Sequence, residues 1–481
     1  MLNQKRFSGV RIGWRRTIGL AVSLFFALVW TGCGDVFRPV ATPISAPSGT
    51  PQSEHLALVV YEGQAGQLCN VNSSGACVPN GACADGSAPL ANGFCLAPGY
   101  TSQIDVSGDT DAADVSVGLL SPVPGVPAFA QQYAALEGTG VFVANNDDDT
   151  VSSFAQFTPG ATPTIIALAA GAQPLAMVEA NSNVYVADYG LQRISVINEA
   201  SNFLQQEIPL NFTPVALAAN ATGNKVYVVS QAAAGQAGAV SVITTTDNAV
   251  NPTSGADIQV GIDPIAVISN SAGSEMYVLN AGDTPPTVSV IDTFLDAVVG
   301  VLPLPSGISP DFLHFDDHLL RLYVSDPAAG EVTVFDASQT GAAQGALPPV
   351  ELAAVPISGG HPGPLGVLPD GSRAYVMDTE ATTGCDQTTD SGRGRVYVLD
   401  GTSLTEIGCI TVPYPPTSIS ASGDGSKVYI IDTAAGFDND GNYIVSGGTT
   451  VITTSNNQVD TTISQPTPPG EFLIPLYVVC E

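Results

Sequence analysis

The sequence predicts an all-β fold, a seven-bladed β-propeller of four-stranded antiparallel blades. Three observations carry the prediction. A strand with an aromatic residue set between apolar ones recurs seven times, its aromatic positions fall 42 to 54 residues apart, and 50 Gly and 36 Pro punctuate the 481 residues. A period of that length is one propeller blade, whereas parallel β-helices repeat over fewer residues and helical solenoids show a 3.6-residue period inside each unit.

Each repeat justifies its strands in order. A Pro stands 13 residues before the aromatic in five copies (Pro214, Pro264, Pro310, Pro362, Pro416), 11 before it in another (Pro174), and Pro127 stands 15 before it in the first. A short apolar strand follows the Pro, then a polar turn such as Ser422-Gly-Asp-Gly, then the aromatic strand, which together read as a hairpin. The aromatic positions are Phe142, Tyr185, Tyr227, Tyr277, Tyr323, Tyr375 and Tyr429. A further β-branched strand comes next, from Val151-Ser-Ser-Phe154 in the first repeat to Thr450-Val-Ile-Thr453 in the last. Three residues after each Pro the side chain is large and apolar (Met177, Leu217, Val267, Leu313, Leu365, Ile419), a column expected to pack blade on blade. Its neighbours are mostly small, Ala176, Ala216, Gly366 and Ser418 among them, as crowding near a central axis requires. Ring closure is expected to use strands outside the repeats. The segments 56–61, 103–117 and 472–479 are the candidates for outer strands of the first or last blade, with both chain ends meeting in one blade.

Charge is scarce and one-sided. Only 12% of the residues are charged, yet 44 acidic against 13 basic residues give −31. That balance excludes nucleic-acid binding as the main role, because a phosphate backbone must be met by clustered Lys and Arg. A hydrophobic content of 44%, with 17 Phe and 14 Tyr, excludes disorder and supplies a large core.

The first 33 residues run against this composition. Lys5, Arg6, Arg11, Arg15 and Arg16 precede an apolar run from Thr17 to Trp30, shorter than the ~20 residues that span a bilayer. The run ends at Thr31-Gly32-Cys33, which resembles the lipobox of bacterial lipoproteins, with Trp30 where that motif usually has Leu. The resemblance implies a signal peptide over 1–32, lipid attachment at Cys33, and a membrane-anchored location in the bacterial envelope, at the outer membrane or cell surface. Loss of that segment would leave eight basic residues and a charge of −36. Residues 33–54 are rich in Pro, Ser and Thr and suit an extended tether. The remaining chain divides into N-terminal closing strands with a Cys-rich loop, 55–119, and the propeller, 120–481.

Cysteine usage fits an oxidising compartment. Cys69, Cys77, Cys83 and Cys95 lie in a stretch without His, so disulfides are favoured over zinc, with the pairing left open. Cys385 and Cys409 are the favoured later pair, which leaves Cys480 free.

Segments such as Gly261-Ile-Asp-Pro-Ile-Ala-Val, Ser274-Glu-Met-Tyr-Val-Leu-Asn and Val288-Ser-Val-Ile-Asp-Thr resemble the YVTN-type, YncE-like propeller repeat over roughly residues 120 to 465. That resemblance implies seven blades in an extracytoplasmic protein. In fold it is similar to lactonase-type propellers and to the haem-d1 domain of nitrite reductases, but it implies no reaction by itself.

Chemistry-bearing residues are few. Trp occurs only at 14 and 30, so tryptophan-docking quinoprotein repeats and the Asp-box of sialidases are excluded, and no Cys-x-x-Cys-His is present for covalent haem. His314 and His318 have a four-residue spacing but fall on a predicted strand and turn rather than a helix. Loops entering the innermost strand and loops leaving the aromatic strand emerge on one face, around the channel mouth. Asp188, Asp263, Asn280, Asp326, His361, Asp378 and Asp432 fall there and are the candidates for binding a ligand or cation. Asn and Asp at strand ends also make turns that satisfy backbone donors. Asp147-Asp148-Asp149 lies on the same face, and Asp438, Asp440 and Asn442 resemble part of a calcium loop that lacks its distal Glu, which makes Ca2+ the one cofactor to consider. The expectation is a non-catalytic envelope scaffold that binds a protein partner or small ligand. The alternative is a lactonase-like hydrolase using His361, Arg373 or Asp378 at the mouth.

Overall fold

The computed structural model describes residues 56–480 apart from 67, 72–76, 125, 127–130, 138–139, 251–256, 306, 308, 339–348, 387–390, 438–442 and 470. The expected signal peptide and tether, Cys33, Pro127 and the expected calcium loop therefore lie outside the described residues.

Eight antiparallel blades form the ring, so the expected number of seven is one too few; seven are four-stranded, and in blade 3 two segments, Ala249–Val250 and Ile258–Ile262, share the outer position against the third strand. Blades 1 to 7 are the sequence repeats, residues 134–167, 174–209, 213–262, 264–303, 312–356, 362–412 and 416–464. Blade 8 takes its innermost strand, Glu471–Cys480, from one part of the chain and its outer three, Leu56–Ala65, Cys95–Asp105 and Thr110–Ser116, from another. The two segments do meet in one blade, but they build an additional blade rather than the outer strands of a repeat. Its register explains why the repeat pattern misses it. Leu56 pairs with Asp105 as Asn183 pairs with Asn198 in blade 2, so Leu58 occupies the level of Tyr185 and the aromatic signature is absent.

The Pro column opens the innermost strands. Strands begin at Pro174, Pro264, Pro362 and Pro416, and the pairing slips just after each of them, which suits a residue with no N–H to donate. Met177, Leu217, Leu313 and Leu365 are buried as the blade-to-blade column requires. Met177 packs with Phe142, Ala144 and Val151 of blade 1, and Leu217 packs with Ala176 and Ile194 of blade 2. Ring closure is packed in the same way. Leu56, Leu58 and Val60 meet Val141 and Val143 on one side of blade 8, and Ala57, Val59 and Tyr61 meet Tyr429 and Ile431 on the other.

Four of the six repeated tyrosines, Tyr185, Tyr227, Tyr375 and Tyr429, staple neighbouring blades together, while the Tyr277 hydroxyl donates to Glu275 of its own strand at 2.8 Å. Each stapling hydroxyl donates to an Asn or Asp in the turn between the third and fourth strands of the next blade: Tyr185 to Asn248 at 2.5 Å, Tyr227 to Asp296 at 2.8 Å, Tyr375 to Asn457 at 2.7 Å and Tyr429 to Asp109 at 2.8 Å. Those acceptors have φ of 49 to 56°, a left-handed conformation that Asn and Asp tolerate best. Two residues before the tyrosine, a basic side chain reaches the same turn. Lys225 binds Asp296 at 2.8 Å, Lys427 binds Asp109, Arg373 binds Asn457 at 3.0 Å and the Thr454 carbonyl, and Arg321 binds the Gly401 carbonyl. Half of the eight basic residues beyond position 33 are thus committed between blades.

Candidate functional site

The ring has two unlike faces. The hairpin face carries the turns between first and second and between third and fourth strands. The mouth face carries the loops between second and third strands and those that lead into the next innermost strand. Among the described residues two disulfides are formed, and both brace mouth-face loops. Cys83 is joined to Cys95 at the start of the third strand of blade 8, and Cys385 is joined to Cys409 on the outer strand of blade 6. Cys69 and Cys77 lie on the paired strands Cys69–Val71 and Cys77–Pro79, and Cys480 is a free thiol that burial pushes up to about 12.

The Asn/Asp position at the end of the second strand is buried under these loops. Asp188, Asn280, Asp326, Asp378 and Asp432 are each at most 1% exposed. Most of them hold the loop that enters their own blade by accepting its backbone N–H: Asn280 from Gly261, Asp326 from Ser309, Asp378 from His361 and Asp432 from Tyr414, at 3.0 to 3.3 Å. Asn145 does the same for Gly118 at 3.1 Å. The Asp147–Asp149 run is spent similarly. Asp148 accepts from the Leu119 N–H at 2.9 Å, and Asp149 from Gly171 and Gln173 at 2.7 and 2.9 Å. Asp188 instead accepts from Arg193 Nε and Ser195 Oγ, both at 2.8 Å. Asp263 is exposed and accepts from Gln231 Nε2 at 2.6 Å. Among the described residues, no three His, Cys, Asp or Glu side chains are grouped to hold a metal ion. His314 lies in a strand, where burial pushes its imidazole down to about 4, and His318 lies in the following turn.

Blade 6 gathers the densest constellation at the mouth. Asp378 is its hub, accepting from the backbone N–H of His361 at 3.3 Å and of Glu380 at 3.2 Å, while Arg395 Nη2 lies 2.5 Å from its Oδ2. Arg395 is 8% exposed, and its guanidinium carbon stands 5.7 Å from the Tyr397 ring centroid. Gly360 lies so close to that ring that a Cβ would come within 2.6 Å of it, so only glycine lets the loop settle there. The His361 imidazole is 45% exposed, with Nδ1 3.9 Å from Asp378 Oδ1 and Nε2 3.6 Å from Glu380 Oε2. Among the described residues no hydroxyl or thiol is hydrogen-bonded to that ring; Thr379 Oγ1 donates to the His361 carbonyl instead. Arg373 does not join this group, because it is committed to blade 7 on the hairpin face. Glu380, Arg395 and Tyr397 escape the sequence reading because nothing in the repeat marks them. A basic residue two positions before the aromatic in four repeats was the available sign that Arg373 belongs to a packing column.

Buried carboxyls make the fold sensitive to pH. Burial is the main cause that pushes Glu62, Asp311 and Asp432 up to about 7, and Asp188 and Asp114 to about 6. Between about pH 4 and 7 the folded chain therefore binds more protons than the unfolded one, and stability falls as pH rises through that window. Asp336 and Asp400, held low by bonds from Ser338 and Ser403, act only below it. The melting midpoint at pH 5 is expected to exceed that at pH 7.5 by roughly 5 °C; calorimetry that gave the reverse order would refute the assignment.

No family model matches the chain, and no curated protein sequence matches it. Among solved structures it is similar to the dihydro-heme d1 dehydrogenase NirN in complex with DHE, at 13% identity over 90% of this chain and 78% of that one, with a TM-score of 0.55. It is also similar to apo AztD from Citrobacter koseri, at 12% identity over 88% and 98% of the two chains, with a TM-score of 0.51. At such identities the likeness shows the β-propeller fold alone.

Proposed function

We propose that this chain is a lipid-anchored propeller of the bacterial envelope that binds a protein partner or small ligand at its mouth face and catalyses no reaction itself. The observation that carries the reading is the construction of that face. Its loops are clamped by buried Asn and Asp side chains and by both disulfides, and His361 and Glu380 are left at the rim of blade 6. Loops fixed before binding lose little entropy on binding, which suits recognition. The disulfides also favour an oxidising compartment, and Thr31-Gly32-Cys33 favours acylation. The carboxylates that a cation funnel would use are occupied by backbone and side-chain donors, so a ligand would engage His361 and Glu380 rather than the buried ring.

The half-exposed His361 keeps the lactonase-like alternative open to test. It is disfavoured because Arg395 is neutralised by Asp378 and Arg373 lies on the other face, so neither supplies a free cation for an oxyanion. Cys33→Ala is expected to abolish globomycin-sensitive processing and to release the protein from the membrane fraction. Processing that persists in this variant would refute the anchor. Hydrolysis of simple lactones that disappears in His361→Ala would replace the binding reading with the alternative. Calcium and EDTA are both expected to leave the melting midpoint of the purified protein unchanged, and a shift with either would restore the cation reading.

A further inference from the structure

The hairpin face carries apolar side chains that the fold does not use. The turn between third and fourth strands has small or polar residues at its tip in five blades: Ser107-Gly108, Ala200-Ser201, Thr246-Asp247, Thr402-Ser403 and Ser455-Asn456. Blade 4 has Phe294-Leu295 there, 83% and 61% exposed. The tip is rigid. Both backbone N–H groups donate to Asp292 Oδ1 at 2.8 Å, and Asp296 closes the turn with its carboxylate held by Lys225 and Tyr227 of blade 3. Phe203, Val250, Val350 and Val459 are also exposed and pair with Asn198, Ile243, Asp336 and Ile452 at the same end of their blades. Among the described residues, six of eleven exposed large apolar side chains thus lie at the hairpin end, against one, Leu191, in a mouth loop.

A second, independent observation concerns where the chain joins the ring. Leu56 opens the second strand of blade 8 and pairs with Asp105, which pairs in turn with Thr110 across the hairpin-face turn. The described chain therefore enters the propeller, at Leu56, on the face that bears Phe294. An acyl chain at Cys33 would hold that face at high local concentration beside a bilayer.

We propose that the hairpin face rests on a phospholipid bilayer, with Phe294 and Leu295 dipping among the lipids and the mouth turned away from the membrane. The proposal builds on the lipid anchor inferred above. Apolar side chains spread thinly over several blades suit a planar interface better than a compact protein epitope, which would gather them into one patch. The excess of 44 acidic over 13 basic residues selects zwitterionic over anionic lipid.

The test uses the absence of tryptophan after Trp30. Full-length acylated protein carrying Phe294→Trp, and a second carrying Leu191→Trp, are reconstituted into phosphatidylethanolamine–phosphatidylcholine vesicles with and without brominated acyl chains. The Phe294→Trp emission is expected to shift to the blue and to be quenched by bromine, while the Leu191→Trp emission stays unchanged. Protein that floats with the vesicles but shows no quenching at position 294, or equal quenching at both positions, overturns the orientation and leaves the anchor standing. Protein that does not float overturns the anchor, and the orientation with it. Because both positions are exposed loops, flotation and emission are read from folded rings.

Discussion

Asp109→Ala is expected to remove about 3–5 kcal/mol of stability, as loss of one partner from a buried ion pair does. Asp109 sits in the outer turn of blade 8, and its carboxylate takes both the Tyr429 hydroxyl, at 2.8 Å, and the Lys427 ammonium from blade 7. Their side chains are 9% and 16% exposed for Asp109 and Lys427, so neither is well hydrated once the partner is gone. Lys427 keeps only Asp460, at 3.5 Å. Alanine would also have to adopt the φ of 49° found at this position, an added strain. Asp109→Asn retains an acceptor and tolerates that backbone, so it should cost distinctly less. Urea unfolding monitored by circular dichroism gives both values. A loss below about 1 kcal/mol in the alanine variant would show that the seam between blades 7 and 8 is held by its apolar packing alone.

Asp378→Ala is expected to cost a similar amount, about 3–5 kcal/mol, for a different reason. It orphans the Arg395 guanidinium, 8% exposed, and frees the His361 and Glu380 amides together. The effect should concentrate at the mouth. Hydrogen exchange at those two amides is expected to speed by orders of magnitude, while the amides of blades 2 and 3 change little. If the exchange rates rose equally around the ring, the clamp would not be local and the picture of independently pinned loops would be wrong. The Cys385–Cys409 bond should stay formed in this variant, because it ties the middle of the same loop to the outer strand.

Much of this architecture is written in the repeat itself. Tyr185, Tyr227, Tyr277, Tyr323, Tyr375 and Tyr429, the Pro column and the large residue three positions later recur because each blade solves the same packing problem. Blade 8 is hidden because no contiguous window contains it, and its second strand has Leu58 where the pattern demands an aromatic ring. The Asn/Asp position illustrates a second limit. Its chemistry and its place at a strand end are legible, but its direction is not. Whether Asp378 looks into the channel or backwards onto a loop depends on where the His361 N–H falls, 17 residues earlier, and only the folded ring brings the two together. The staples fail to show for the same reason: Tyr185 and Asn248 stand 63 residues apart, across a blade boundary.

Joining Leu56–Ala65 to Glu471–Cys480 also sets an order of events. As the chain is synthesised, strands 56–116 appear first and must wait through more than 350 further residues for their innermost partner. Blades 1 to 7 are each local in sequence and can stack as they emerge, so the ring grows as an open arc with an unpaired edge at its start. Closure is then a single late step, and until residues 471–480 have been made the waiting edge is the part of the nascent protein most in need of a chaperone.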